Sequence, residues 1–171
     1  MAGAILLDEA KTYLRIDDDE ENAVIQGLID AAARHIETTY GVVSLAREES
    51  FIFDGFAAQI RVPRVPVDPG NISVTFLDTD GVVQNLEGVR AIERDGWVWL
   101  HPALGSRWPG RVAAVGSVTI TASVGYAEGA APDDVKQATR MIVDHWYSER
   151  DFSSPAANVD FLIDHYRFRR V

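Results

Sequence analysis

The hydrophobic positions change period twice along the chain, which divides it into three zones. In the first, Leu7 to Ile16 predicts a short helix with Asp8 at its N-cap, where a carboxylate accepts an orphan backbone N–H. Asp17-Asp18-Asp19-Glu20-Glu21 follows as a loop and helix start, because carboxylates there meet a partly positive helix N-terminus. Val24, Ile25, Leu28, Ile29, Ala32 and Ile36 then recur at spacings of one, three and four, one stripe of a second helix. Gly41, just after Tyr40, suits its C-terminal stop.

The second zone, residues 43–125, alternates and is punctuated by Gly, Pro and Asp. Strands are predicted at 50–53, 59–62, 72–77, 82–86, 97–100 and 117–124, with a hairpin turn at Asp78-Thr79-Asp80-Gly81. Pro63, Pro66 and Pro69 exclude helix and central strand from the stretch that holds them. The third zone is helical again. Pro132 at N1 with Asp133 and Asp134 opens a helix whose stripe is Val135, Ala138, Ile142 and Trp146. Ser154 caps a last short helix with Val159, Leu162, Ile163 and Tyr166 on its apolar face. The order predicts an α+β fold: a helical core of about four helices from both chain ends, 1–42 and 126–171, with a small antiparallel β-sheet or sandwich inserted at 43–125.

Composition narrows what such a fold does. With 171 residues the chain is one domain or a small domain with an insertion, long enough to need no staple. It has no Cys, which excludes a disulfide framework and thiolate chemistry. The net charge of −10 argues against a protein that grips nucleic acid, since such binding runs on Lys and Arg. The charge is uneven. Residues 1–40 carry nine acidic and three basic side chains, whereas the chain ends on the basic, aromatic Arg167-Phe168-Arg169-Arg170-Val171. No stretch approaches a membrane span or a signal peptide, so the expected compartment is cytoplasmic.

Local chemistry is sparse. Counted as a calcium loop, the acidic run has Asn22 where Gly is needed and Leu28 where Glu is needed. The four histidines, 35, 101, 145 and 165, show no zinc-ligand spacing. No nucleophile elbow or phosphate-binding glycine loop is present, so no catalytic, metal or cofactor residue is assigned. Trp97 and Trp99 share a strand face with Trp108 nearby. Such aromatics are more often core or interface than a ligand platform, but they keep a carbohydrate-binding β-sandwich with helical flanks as an alternative. A carboxylate-pair hydrolase is a third reading, with no local motif behind it.

The helical zones together resemble the tailed-phage head–tail connector family, also called adaptor or DNA-packaging proteins. Leu6 to Ile16, read as Glu9-Ala10-Lys11 and Leu14-Arg15, is followed by the acidic run and then by Ile25, Leu28-Ile29, Ala31-Ala32 and Ile36-Glu37. The third zone adds His145-Trp146-Tyr147 with Glu149-Arg150, and the closing Leu162-Ile163-Asp164-His165-Tyr166-Arg167, with His165 where the family commonly has Pro. The resemblance covers about half the chain, at both ends. It implies a non-enzymatic ring, usually of twelve subunits, beneath the capsid portal. Such a ring extends the DNA channel without binding DNA specifically and receives the next joining or tail protein. It also implies assembly in the host cytoplasm, residence in the virion and no cofactor; the isolated chain is compatible with a monomer. Tyr166, Arg167, Phe168, Arg169, Arg170 and Val171 become the expected portal-docking segment. Asp17, Asp18, Asp19, Glu20 and Glu21 become an expected acidic channel or inter-subunit face.

Overall fold

The structure, a computed structural model, describes residues 3–110, 115–150 and 157–167. It is α+β, and the chain divides into two compact units, Met1–Ala46 with Gly125–Val171, and Arg47–Val124.

The first unit is helical. Helix α1 (Leu7–Leu14) is capped differently from expectation. Leu6 occupies the N-cap, and its N–H donates to Glu9 Oε2 at 2.8 Å, while Asp8 sits in the first turn. Glu9 therefore does what was assigned to Asp8, because a side chain three residues on can reach back to the cap N–H. The helix stops two residues early: Arg15 turns left-handed (φ 59°), and Ile16 N–H returns to Lys11 O at 3.0 Å. Helix α2 (Asn22–Tyr40) begins after the acidic run and ends at Gly41, whose φ of 77° lets its N–H reach Glu37 O. Its stripe buries Ile25, Leu28, Ile29, Ala32, Ile36 and Tyr40; Val24, expected on it, is exposed. Helix α3 (Asp133–Glu149) packs on α2 through Val135, Ala138, Ile142, Val143 and Trp146. Pro132 is its N-cap and not its first helical residue. Helix α4 (Ala157–Ile163) packs on α3, with Val159 and Ile163 buried, and a single 3-10 turn, Asp164–Tyr166, ends it. The expected Ser154 cap lies outside the described residues.

The second unit holds two antiparallel sheets. Strands β1 (Arg47–Phe53), β3 (Val67–Leu77), β4 (Val83–Asn85) and β7 (Val118–Val124) form the first, in the order β1-β7-β3-β4. Strands β2 (Ile60–Arg61), β5 (Arg90–Arg94) and β6 (Trp97–His101) form the second, in the order β2-β6-β5. β7 alternates perfectly, with Val118, Ile120, Ala122 and Val124 buried. Register sets Phe51, Ile120 and Val74 in one buried row, and Val98, Leu100 and Ile60 supply the apolar side of the second sheet.

Two strands depart from the sequence reading. β3 is central and yet contains Pro69. The ladder breaks between Val67 and Ile72, where Asp68 accepts from Gly70 N–H and Asn71 Nδ2, both at 2.9 Å. The irregularity absorbs the missing proline donor. β5 was not anticipated at all. Its charged sequence hides the alternation, but the Asp95-Gly96 turn into β6, with both residues at positive φ, is a strong hairpin signal.

Candidate connector surfaces

The acidic run joins α1 to α2, and the structure splits it by role. Lys11 Nζ lies 2.6 Å from Asp19 Oδ1, which also accepts from Asn22 Nδ2 at 3.0 Å. The hydrogen bond from Lys11 holds the Asp19 carboxyl below its usual range. The Tyr147 hydroxyl of α3 donates to Glu21, and that bond pushes the phenol upward. Asp18 Oδ1 accepts from Glu20 N–H at 3.2 Å, an Asx-type turn that shapes the loop. Asp17, Asp18 and Glu20 are exposed and have no ion pair among the described residues. The run is thus tied to other side chains at Asp19 and Glu21, and its four exposed carboxylates, Asp17 to Glu20, include three with no ion pair among the described residues.

At the other end of the chain, the expected docking segment begins as part of the body. Arg167 lies 2.7 Å from Asp160 and 2.9 Å from Asp164, with its guanidinium 5.0 Å from the Tyr40 ring centroid. The Tyr40 hydroxyl donates to the same Asp160; burial, reinforced by that carboxylate, pushes the phenol up to about 12. Beside this clasp, His165 Nε2 lies 3.3 Å from Asp134, and burial raises both Tyr126 and Tyr166. Phe168, Arg169, Arg170 and Val171 lie outside the described residues.

The tryptophans do not form one platform. Trp97 is 7% exposed, with Arg61 stacked over it at 4.7 Å and over Trp99 at 5.4 Å. Trp108 instead stacks on Phe56 at 5.0 Å and donates to Ala58 O at 3.4 Å. A groove of about 630 Å³ runs between α1 and α3 and is lined by Asp8, Glu9, Thr12, Tyr13, Arg15 and Arg140. Its Arg140–Glu9 pair, at 3.2 Å, ties the two helices together. Among the described residues no group of three His, Asp or Glu is placed to hold a metal, and no helix is long and apolar enough to cross a membrane.

The clasp and the Glu21–Tyr147 bond escaped the sequence reading because their partners lie 120 or more positions apart. No local pattern announces such pairs.

The fold has clear relatives among solved structures. It resembles a chain from the neck of an empty gene transfer agent particle computed with C6 symmetry (TM-score 0.77, 22% identity, 98% of this chain and 91% of that one). It resembles equally a chain from the virion of the native particle (0.77, 23%, with the same coverage) and one from the native neck computed with C12 symmetry (0.77, 22%, 98% and 91%). No curated protein matches the chain. The family model for head completion protein matches residues 4–158, spanning both units. The chain therefore belongs to the head completion protein family, the structural virion components that connect head to tail.

Proposed function

We propose that this chain forms a ring, of twelve subunits in the particle, that sits beneath the portal, extends the DNA channel and receives the next joining or tail protein. The family match over residues 4–158 is the observation that carries this reading. The C6 and C12 symmetry of the neck particles with the same fold supports a ring. In this reading the role is mechanical and no residue is catalytic. Assembly takes place in the host cytoplasm. The β unit is an insertion into the helical body.

The acidic excess fits a conduit. A wall that repels phosphate lets DNA pass without holding it, whereas phosphate-binding walls need Lys and Arg. Residues 166–171 are the proposed portal-docking segment, with arginines suited to bidentate pairing with portal carboxylates. The test is to mix the full chain with its cognate portal and image the product by electron microscopy. Rings capping the portal are expected. A chain that never associates with portal, at any salt concentration, refutes the reading.

A further inference from the structure

One face of the second sheet differs in character from the rest of this acidic chain: Trp97 on it is buried, and Arg90, Arg94 and half-buried Trp99 are its accessible part. Register places Arg61 beside Trp99, Ile92 beside Trp99, Arg94 beside Trp97 and Arg90 beside His101, all on the side opposite buried Val98 and Leu100. No acidic side chain is among the described residues of that face. Arg90 and Arg94 are exposed and have no ion pair among the described residues, and Trp99 is half-buried. Arginine and tryptophan are the residues that most often dominate protein interfaces. Arg61 stacks over both Trp97 and Trp99, a contact that favours one arrangement of the pair.

The rest of the chain supplies a complementary surface. Residues 1–46 and 125–171 carry seventeen acidic against nine basic side chains, a net of −8, and residues 47–124 carry nine against seven. Within the acidic unit, Asp17, Asp18 and Glu20 form a short run of exposed carboxylates with no ion pair among the described residues, with exposed Val24 one turn away. We propose that the Arg90–Arg94–Trp99 face of one copy docks onto the Asp17–Glu20 loop of a second copy. The contact is heterologous: two different surfaces meet, so each copy keeps one of each free and the contact repeats around a ring. The inference rests on the ring reading and assigns its subunit interface. Duplex DNA is the competing anion for this face; the second copy is favoured by the local match of an arginine pair to a run of carboxylates, which the variants below test.

Sedimentation of the full chain, at concentrations up to about 1 mM so that weak contacts register, tests the proposal. Self-association is expected at low ionic strength and should fade as added salt screens the charges. Two variants, R90S/R94S and D17S/D18S/E20S, should each be monomeric. Mixed, they should form a one-to-one dimer that does not extend, because only one intact pair of surfaces remains. Self-association unchanged in both variants, no wild-type association at any salt, or no dimer on mixing overturns the proposal. Arg90- and Arg94-dependent binding of a labelled duplex, without self-association, also overturns it, in favour of DNA. Portal capture by the same variants is scored separately; it reports on the ring reading and not on this interface.

Discussion

Gly125 is the residue at which the chain leaves β7 and re-enters the helical unit, and its replacement by alanine is expected to be severe for two separable reasons. Its φ is +95°, where an L side chain costs roughly 1–2 kcal/mol. A Cβ there would also lie 2.4 Å from Leu45 O and 2.9 Å from Ala46 N, both backbone atoms. Real Cβ atoms essentially never approach closer than 3.0 Å, so the Leu45–Ala46 peptide must move by more than half an ångström. That peptide carries the 2.7 Å hydrogen bond from Ala46 N–H to Tyr126 O, and disrupting it adds about 1–3 kcal/mol. The unfolded chain loses entropy on Gly→Ala and returns about 0.5 kcal/mol. The net expectation is about 2–4 kcal/mol, or roughly 4–16 °C in Tm for a chain of this size. Gly129→Ala is the control in the same unit. Its φ of +72° brings strain, but no atom lies within 4 Å of the added Cβ, so it should cost only about 1 kcal/mol. Urea unfolding followed by far-ultraviolet circular dichroism measures both. Equal losses in the two variants would refute the claim that contact with Leu45 governs Gly125.

Three further outcomes follow from the helical unit. Ile142→Ala empties a fully buried position between helices and should cost about 2–5 kcal/mol in the same unfolding assay. Tyr40 has its phenol raised from 10 to about 12, chiefly by burial and then by Asp160, so the folded state holds that proton more tightly than the unfolded chain does. Its contribution to stability is therefore fully present below pH 10 and is lost as pH rises through about 12. Asp160→Asn should lower the Tyr40 midpoint, read by ultraviolet difference absorbance, with Tyr40→Phe removing that transition to assign it. Glu21→Gln should likewise lower the titration midpoint of Tyr147, whose upward shift comes first from its bond to Glu21.

The helices were legible wherever a continuous stripe is buried. α2 and α3 bury the residues their periods mark, and β7 does so at period two. Val24 belongs to the stripe by spacing but lies in the first turn of α2, where no described element covers it. Pro69 argued against a central strand, and the structure keeps the strand by breaking its register around Asp68. β5 was invisible because Arg90, Glu93 and Arg94 are exposed charges on a strand with only half-buried apolar positions. The acidic run was legible as a loop, but its division into engaged and free carboxylates was not. That division depends on Lys11, one helix earlier, and on Tyr147, more than 120 residues later.

The same distinction governs the C-terminal segment, which the family resemblance marks as one docking element. Arg167 is already engaged by Asp160, Asp164 and the Tyr40 ring, so it helps to hold α4 against α2. Both ion pairs are partly exposed, and each contributes about 0–1 kcal/mol once solvent screening is counted. Deleting residues 166–171 therefore removes both the proposed docking arginines and part of the body. Deleting 168–171 removes Arg169 and Arg170 and leaves the clasp. If docking resides in Arg169 and Arg170, the shorter deletion abolishes portal capture while Tm and the Tyr40 titration stay at wild-type values. The longer deletion should also lower Tm by a few degrees and move Tyr40. Portal capture that survives the shorter deletion and fails only with the longer one would place the effect in the clasp, and the assignment of Arg169 and Arg170 to docking would be wrong.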